Sequence, residues 1–169
     1  MASRQALDAA FRAADARLDR LAPLIETYAN DPLLDDGGKW SVRDCLSHVA
    51  ASALVSAAGR RALQRARGET PPPAAPGGPT LDERTQAQVE ERNGKSIAEI
   101  VAEAKAAHAT AIAEIRAMSD ADLDTKVPPA QGSGPAQSVG GAMFRMLEYH
   151  EARQVDRIED ALRLRTRWV

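Results

Sequence analysis

Apolar side chains recur at helical spacing in four long segments of this chain, and this pattern limits the folds that it can adopt. The first stripe alternates spacings of four and three residues, which places its members on one face of a helix: Leu7, Phe11, Ala14, Leu18, Leu21, Ile25 and Tyr28. The other stripes are Leu46, Val49, Ala53 and Leu54; Ile97, Ile100, Val101, Ala104, His108, Ile112, Ile115 and Met118; and Met143, Met146, Leu147, His150, Gln154, Ile158 and Leu162. Four amphipathic helices without a credible strand predict an all-α fold, a four-helix bundle.

Capping signals place the starts of three of these helices. Ser41 followed by Asp44 comes close to a capping box, in which two side chains each accept a hydrogen bond from the other's backbone N–H. Ser96 with Glu99 forms a full box, and Ser138 can cap the last helix. The second, third and fourth helices are therefore expected to begin just after these residues.

Two local signals predict breaks in the helical pattern. Pro23 lacks a backbone N–H and clashes with the preceding turn, so we expect the first helix to kink or restart near it. Residues 81–92 are polar and predict a short exposed helix, and the pair Asn93-Gly94 after it is typical of a left-handed cap.

Two connections are rich in proline and glycine. Residues 70–80 read TPPPAAPGGPT, and residues 128–138 read PPAQGSGPAQS. Consecutive prolines disfavour helix and favour an extended, solvated path, so residues 69–80 are expected to form a long loop between the second and third long helices. That connection is longer than an antiparallel hairpin needs, and a crossover is expected.

Length, charge and cysteine content narrow the class of protein. A chain of 169 residues fits one domain, 1–169. With 22 basic and 24 acidic residues it carries a net charge of about -2, and no apolar run approaches the roughly 20 residues of a membrane span. Neither nucleic acid nor a membrane is therefore an expected partner. The single cysteine, Cys45, and the absence of a secretory signal predict a cytoplasmic protein.

The three histidines are the main candidates for chemistry. His48, His108 and His150 each lie on or beside the apolar stripe of a different long helix, and bundles build metal or catalytic sites from such inward-facing side chains. His150 and Gln154 are four residues apart and so share a helical face. The alternative is that each histidine is a hydrogen-bonded structural side chain, which fits His108 best.

Neighbouring polar residues leave alternatives open. Cys45, one turn before His48, could be a nucleophile or ligand with a lowered pKa, but a small buried side chain is the favoured interpretation. Glu148 and Glu151 are expected to be solvated or to support the site rather than to act as general bases. A basic cluster is expected to be a solvated helix end rather than a nucleic-acid site: Arg60, Arg61, Arg65 and Arg67.

Three segments resemble the DinB-like superfamily, which includes the mycothiol-dependent maleylpyruvate isomerases, the bacillithiol transferases and the ClbS and DfsB group. They are GGKWSVRDCLSHVAASA, SIAEIVAEAKAAHATAIAEIRAMSDADLD and VGGAMFRMLEYHEARQVDRIEDAL. The resemblance implies a four-helix bundle of up-down-down-up course. It also implies a divalent metal, such as zinc, nickel, manganese or iron, bound by His48, His150 and Gln154, the last in place of the family's usual histidine.

Two functional hypotheses follow from these residues and the resemblance. The first is an enzyme, or a former enzyme, of small-molecule detoxification or self-resistance. It would transfer a low-molecular-weight thiol to an electrophilic substrate, or hydrolyse that substrate. His48 and His150 would be catalytic, by holding a metal or, without one, as a general base. The second is a non-catalytic protein that sequesters a small molecule against Met143 and Met146, or a stress-response protein. A homodimer is expected in either case.

Overall fold

The computed structural model describes residues 3–35, 37–53, 59, 63–64, 66–69, 78–127 and 136–166, and all structural statements concern these residues. The helices of the N-terminal half are α1 (Arg4–Tyr28), α2 (Val42–Ser52) and α3 (Leu81–Glu90). After them come α4 (Ile97–Ala117), α5 (Asp120–Asp124), β1 (Lys126–Val127), β2 (Gln137–Ser138), α6 (Val139–Arg145), a π-helical turn (Met146–Glu151) and α7 (Ala152–Thr166). The last three run without a break and are called the last helix below.

The long helices pack as the apolar stripes predict, and the all-α fold is confirmed. α1 packs against α4 and α7, and α2 packs against the same two helices, with less direct contact between α1 and α2. One core cluster, which includes Ile25, Leu46 and Ile158, surrounds α2, and a second, which includes Phe11 and Met143, lies where α1 meets α6. Because α2 and the last helix are neighbours, their inward side chains can meet.

The predicted capping residues are confirmed. Ser41 accepts a hydrogen bond from the backbone N–H of Asp44, and the Asp44 carboxylate accepts one from the Ser41 N–H, which completes the box. Ser96 begins α4 in the same way, and Ser138 accepts from the Gly141 N–H at the start of α6. These local bonds fix where each helix begins and hence which turn carries each inward side chain.

Of the kink or restart expected at Pro23, the restart is wrong, because α1 continues through this residue to Tyr28. Leu21 and Ile25, on either side of the proline, are both buried. A proline within a helix sacrifices one backbone hydrogen bond, and the burial of apolar side chains in the turns around it outweighs that loss.

The left-handed cap expected at Asn93-Gly94 is also wrong. Among the described residues, only Gly37, Gly38 and Gly68 have positive φ angles. The turn after α3 instead stays right-handed, with backbone bonds such as Asn93 N–H to Glu90 O at 3.1 Å. The Arg43 side chain of α2 donates to the carbonyl oxygens of Arg92, Asn93 and Lys95, and so ties this turn to α2.

The last helix departs from the predicted pattern at its π-helical turn. Met146, expected to face inward, has 37% of its surface exposed. Each π-helical bond spans one residue more than an α-helical bond, so the buried face shifts in register. The buried face includes Met143, Leu147, Glu151, Val155, Ile158 and Leu162.

Several predictions fall partly or wholly outside the described residues. They are the interior of the proline-rich connection at 70–77, most of the second loop at 128–135, and the side chains of Leu54, Arg60, Arg61 and Arg65. β1 and β2 flank the second loop as a two-residue antiparallel pair that the sequence did not predict. None of the described helices is long and apolar enough to cross a membrane.

Candidate functional site

The structure brings His48 of α2 and His150 of the last helix into direct contact. Their Nε2 atoms lie 3.2 Å apart, and their rings meet edge to face, with centroids 5.1 Å apart. One of the two nitrogens therefore donates a hydrogen bond to the other. These are the two histidines for which the sequence predicts a shared role.

Cys45 and Gln154 form a second layer of the same helix pair. The buried Cys45 thiol lies 3.4 Å from the Gln154 backbone oxygen and 3.5 Å from the side-chain Oε1. Since Cys45 precedes His48 while Gln154 follows His150, the two helices run antiparallel at this point. The three predicted site residues and Cys45 thus occupy one interface, in two adjacent turns.

Arg157 organises the Gln154 side of this interface. Its guanidinium group donates to Gln154 Oε1 at 2.7 Å and pairs with Asp35 at 2.7 Å. It also lies 5.8 Å from the ring centroid of Trp40, and that ring packs 5.1 Å from the His48 ring. Neither Arg157 nor Asp35 was predicted from the sequence. The only available signal was that Arg157 follows Gln154 by three residues on one helical face.

His48 is held in its neutral form. Burial, together with the nearby His150 and the positive charge of Arg157, lowers the pKa of His48 from 6.5 to about 4. Its Nδ1 atom is buried and has no hydrogen-bond partner within the described ranges. At neutral pH the ring consequently offers an unprotonated nitrogen, the form in which histidine binds a metal.

The two histidines fit a metal, whereas the third predicted ligand is already engaged. Two imidazoles on one tetrahedral zinc ion, with Zn–N distances of about 2.0–2.1 Å, hold their nitrogens about 3.3 Å apart, close to the observed 3.2 Å. Gln154 Oε1 instead accepts a hydrogen bond from Arg157. In the described part of the chain no three His, Cys, Asp or Glu side chains group to hold a metal ion.

His108 lies apart from this pair, in a separate buried cluster. Its Nδ1 lies 2.6 Å from Asp15, and its Nε2 lies 3.0 Å from Glu151. Burial lowers the pKa of His108, but the carboxylates of Glu151 and Asp15 outweigh it, and the pKa is raised above its ordinary value. The prediction of a structural His108 agrees with these contacts. The prediction of a solvated side chain is wrong for Glu151, since only 2% of its surface is exposed. Glu148 is exposed, as that prediction expects.

Comparison with known proteins identifies the family. The family model described as the DinB superfamily matches residues 2–155. The chain belongs to the DinB superfamily. No curated protein and no solved structure matches it. DinB membership agrees with the helical bundle described above, and the superfamily includes metal-dependent enzymes.

The DinB match ends one residue after Gln154 and therefore includes both layers of the site. It also includes Asp15, His108 and Glu151, so the second buried cluster lies within the family's domain. The match assigns no role to any single residue.

Proposed function

We propose that this DinB protein is an enzyme of small-molecule detoxification or self-resistance, acting at the His48–His150 pair. Its reaction would be thiol transfer to an electrophilic substrate, or hydrolysis of that substrate. The observation that carries the proposal is the 3.2 Å approach of two imidazole nitrogens from facing helices, one of them on a ring held neutral. A general base works best with a pKa near the working pH, so a pKa of about 4 favours a ligand role for His48 over a base role.

His48 and His150 would hold a divalent ion. Gln154 would be a third ligand if its Oε1 atom gave up the hydrogen bond from Arg157 and bound the ion instead. A bound ion would lower the pKa of a water or thiol and so supply the nucleophile at neutral pH. The surrounding residues have separate tasks. Trp40 covers one face of His48, and Arg157 sets the orientation of the Gln154 amide.

The experiment is elemental analysis of tag-free protein, as purified and after reconstitution with zinc, nickel, manganese or iron. We expect one equivalent per chain, lost in His48→Ala and in His150→Ala. Glu148→Ala is the matched control, because this exposed side chain lies two residues before His150 and should leave the metal content unchanged. Metal retained in both histidine variants would contradict the proposed site.

Gln154→His tests whether position 154 contributes a ligand, because it places a stronger ligand there. Imidazole nitrogen binds transition metals more strongly than an amide oxygen does, so this variant should raise zinc affinity by at least about tenfold. Competition with a chromogenic chelator measures the change. An unaltered affinity would show that position 154 does not reach the ion.

Activity is then assayed with a panel of electrophiles, such as epoxides and activated esters, with and without a low-molecular-weight thiol. Turnover that depends on the bound metal and on His48 is the expected result. Full activity in folded His48→Ala would overturn the proposal.

A second candidate is a non-catalytic protein that sequesters a small molecule. The observation that favours it is the bond from Arg157 to Gln154, which occupies the oxygen that a metal would need. Ligand binding without turnover that survives replacement of both His48 and His150, in protein that takes up no metal, would support this candidate over the enzyme.

A further inference from the structure

A second concave site lies between α1 and the last helix. It is a cavity of about 220 Å³, and neither the His48–His150 layer nor the Cys45–Gln154 layer lines it. Its walls are mostly small and apolar, so a ligand can approach both helix backbones closely. The apolar lining consists of Ala10, Ala13, Ala14, Leu147, Ala152 and Val155.

The lining of the cavity also includes one buried acidic residue, Glu151. Glu151 is 2% exposed, and neither of its side-chain oxygens accepts an aligned hydrogen bond from any described residue. Among the described residues its one charged contact is His108 Nε2, 3.0 Å from Oε1, and His108 also faces Asp15. Two carboxylates thus share one imidazole. A buried carboxylate is costly unless donors or a positive charge compensate it, so this cluster lacks one partner.

The charges at the rim favour a positive ligand. Arg17 lines the cavity, but its guanidinium group is already paired with Asp156 at 2.5 Å and Glu159 at 2.9 Å. The other charged lining residue, Glu148, is exposed and has the same sign as Glu151. The site therefore combines an apolar wall, an unsatisfied buried acceptor and a rim on which the only cation among the described residues is neutralised.

We propose that this cavity binds a small organic cation, a primary alkylammonium whose chain packs on the alanines and whose head group donates to Glu151. The volume fits an amine of about five or six heavy atoms, below the roughly 300 Å³ at which pockets for drug-sized ligands begin. The proposal does not depend on a metal or a reaction at the His48–His150 pair.

The test is a titration of the full-length protein with n-butylammonium, followed by ¹H–¹⁵N NMR. Saturable shifts are expected at the amides of Ala13, Ala14 and Ala152, which line the cavity. The neutral 1-pentanol has a similar size but no charge, and it should bind at least about tenfold more weakly. Equal affinity for the two molecules, or no saturable shift up to about 50 mM amine, would overturn the proposal.

Two alanine substitutions on α1 test whether butylammonium binds in this cavity. Ala13→Leu should fill the cavity from the exposed side of α1 and weaken butylammonium binding at least about tenfold. Ala16→Leu is the matched control, because Ala16 is also exposed on α1 but does not line the cavity. Equal binding in these two variants would contradict the site.

Glu151→Gln should remove the preference for the amine over the alcohol while leaving pentanol binding unchanged. If this variant does not fold, the comparison of the two ligands in the unchanged protein and the two alanine variants still decide the question.

Discussion

His48 and His108 have pKa values shifted in opposite directions, although burial lowers both. His48 faces another imidazole and the guanidinium group of Arg157, so its neighbours add to the effect of burial. His108 faces the carboxylates of Asp15 and Glu151, which raise its pKa by more than burial lowers it. One ring is therefore suited to bind a cation, whereas the surroundings of the other favour its protonated form.

The depressed pKa of His48 predicts how stability depends on pH in acid. The unfolded chain takes up a proton on His48 near pH 6.5, while the folded chain resists until about pH 4. The contribution of neutral His48 is therefore complete above pH 6.5 and is lost as the pH falls toward 4. We expect the His48 ring signals of metal-free protein to titrate near pH 4 by NMR. A midpoint near 6.5 would be inconsistent with the described packing.

His48→Gln is the control for the same effect on stability. It removes the titrating group, so the difference in free energy of unfolding between the parent protein and this variant should change between pH 6.5 and 4. Urea unfolding at several pH values measures that difference. A constant difference would mean that His48 does not contribute to the acid dependence.

The raised pKa of His108 predicts the opposite dependence. Stability from the charged ring is complete below the unfolded pKa of 6.5 and is lost as the pH rises through the folded pKa. Asp15→Asn should lower the free energy of unfolding by about 1.5–3 kcal/mol at pH 6, the usual range for a hydrogen bond to a charged group. The loss should shrink at alkaline pH.

Asp19→Asn is the matched control for this prediction. Asp19 lies one turn further along α1 and pairs with Lys105 at 2.7 Å on the surface, where such pairs contribute about 1 kcal/mol or less. Urea denaturation compares the two variants. Equal losses for Asp15→Asn and Asp19→Asn would contradict a buried charged cluster.

Some residues of the site could be predicted from the sequence, and others could not. His48, His150 and Gln154 could be named because they belong to a motif that resembles a family. Arg157 and Glu151 could not, because their roles depend on partners more than 40 residues distant in the chain: Arg157 bonds Asp35, and Glu151 contacts His108. Contacts of that kind leave no trace in local spacing.

Helix starts are the best-predicted feature at the scale of elements. The boxes at Ser41 and Ser96 involve residues only three positions apart, so the sequence alone specifies them. The π-helical turn and the unbroken passage of α1 through Pro23 were missed, because both depend on how neighbouring helices pack. Local rules locate the start of a helix better than they locate a defect inside one.

Two capping boxes of the same kind allow a matched test. Ser96→Ala should lower the free energy of unfolding by about 1 kcal/mol, because α4 packs against both α1 and α2. Thr80→Ala removes the equivalent box of α3, whose only buried residue is Val89, so fraying there should affect global unfolding much less. Urea denaturation measures both. An equal effect would mean that α3 is integral to the core.

At the scale of the whole molecule, two helices, α4 and α7, each contact both α1 and α2 and so join distant parts of the sequence. α1 and α2 both pack on α4 and α7, and core clusters at both ends of this arrangement are built mainly from aliphatic side chains. The periodic stripes predicted which faces of α1 and α4 are buried. They could not predict which helices are neighbours, since that depends on complementarity between stripes that are similar in composition.

The homodimer expected from the sequence stays a prediction. Leu24, Leu34 and Leu164 leave between 39% and 54% of their surfaces exposed, more than the core residues around them. Light scattering across a dilution series should give twice the chain mass of 18.1 kDa. A mass of one chain at every concentration would contradict a dimer.

The π-helical turn also has a consequence for how this protein can evolve. A π-helical turn takes up one residue more than an α-helical turn, so deleting one residue from Met146–Glu151 would leave a regular α-helix and keep Gln154 beside Cys45. Insertions in a surface connection cost little, since loop-closure entropy changes slowly with length. Related sequences that keep both the core and the site should therefore vary in length at the surface connections, and between Leu147 and Val155 they should differ by no more than the one residue of the π-helical turn.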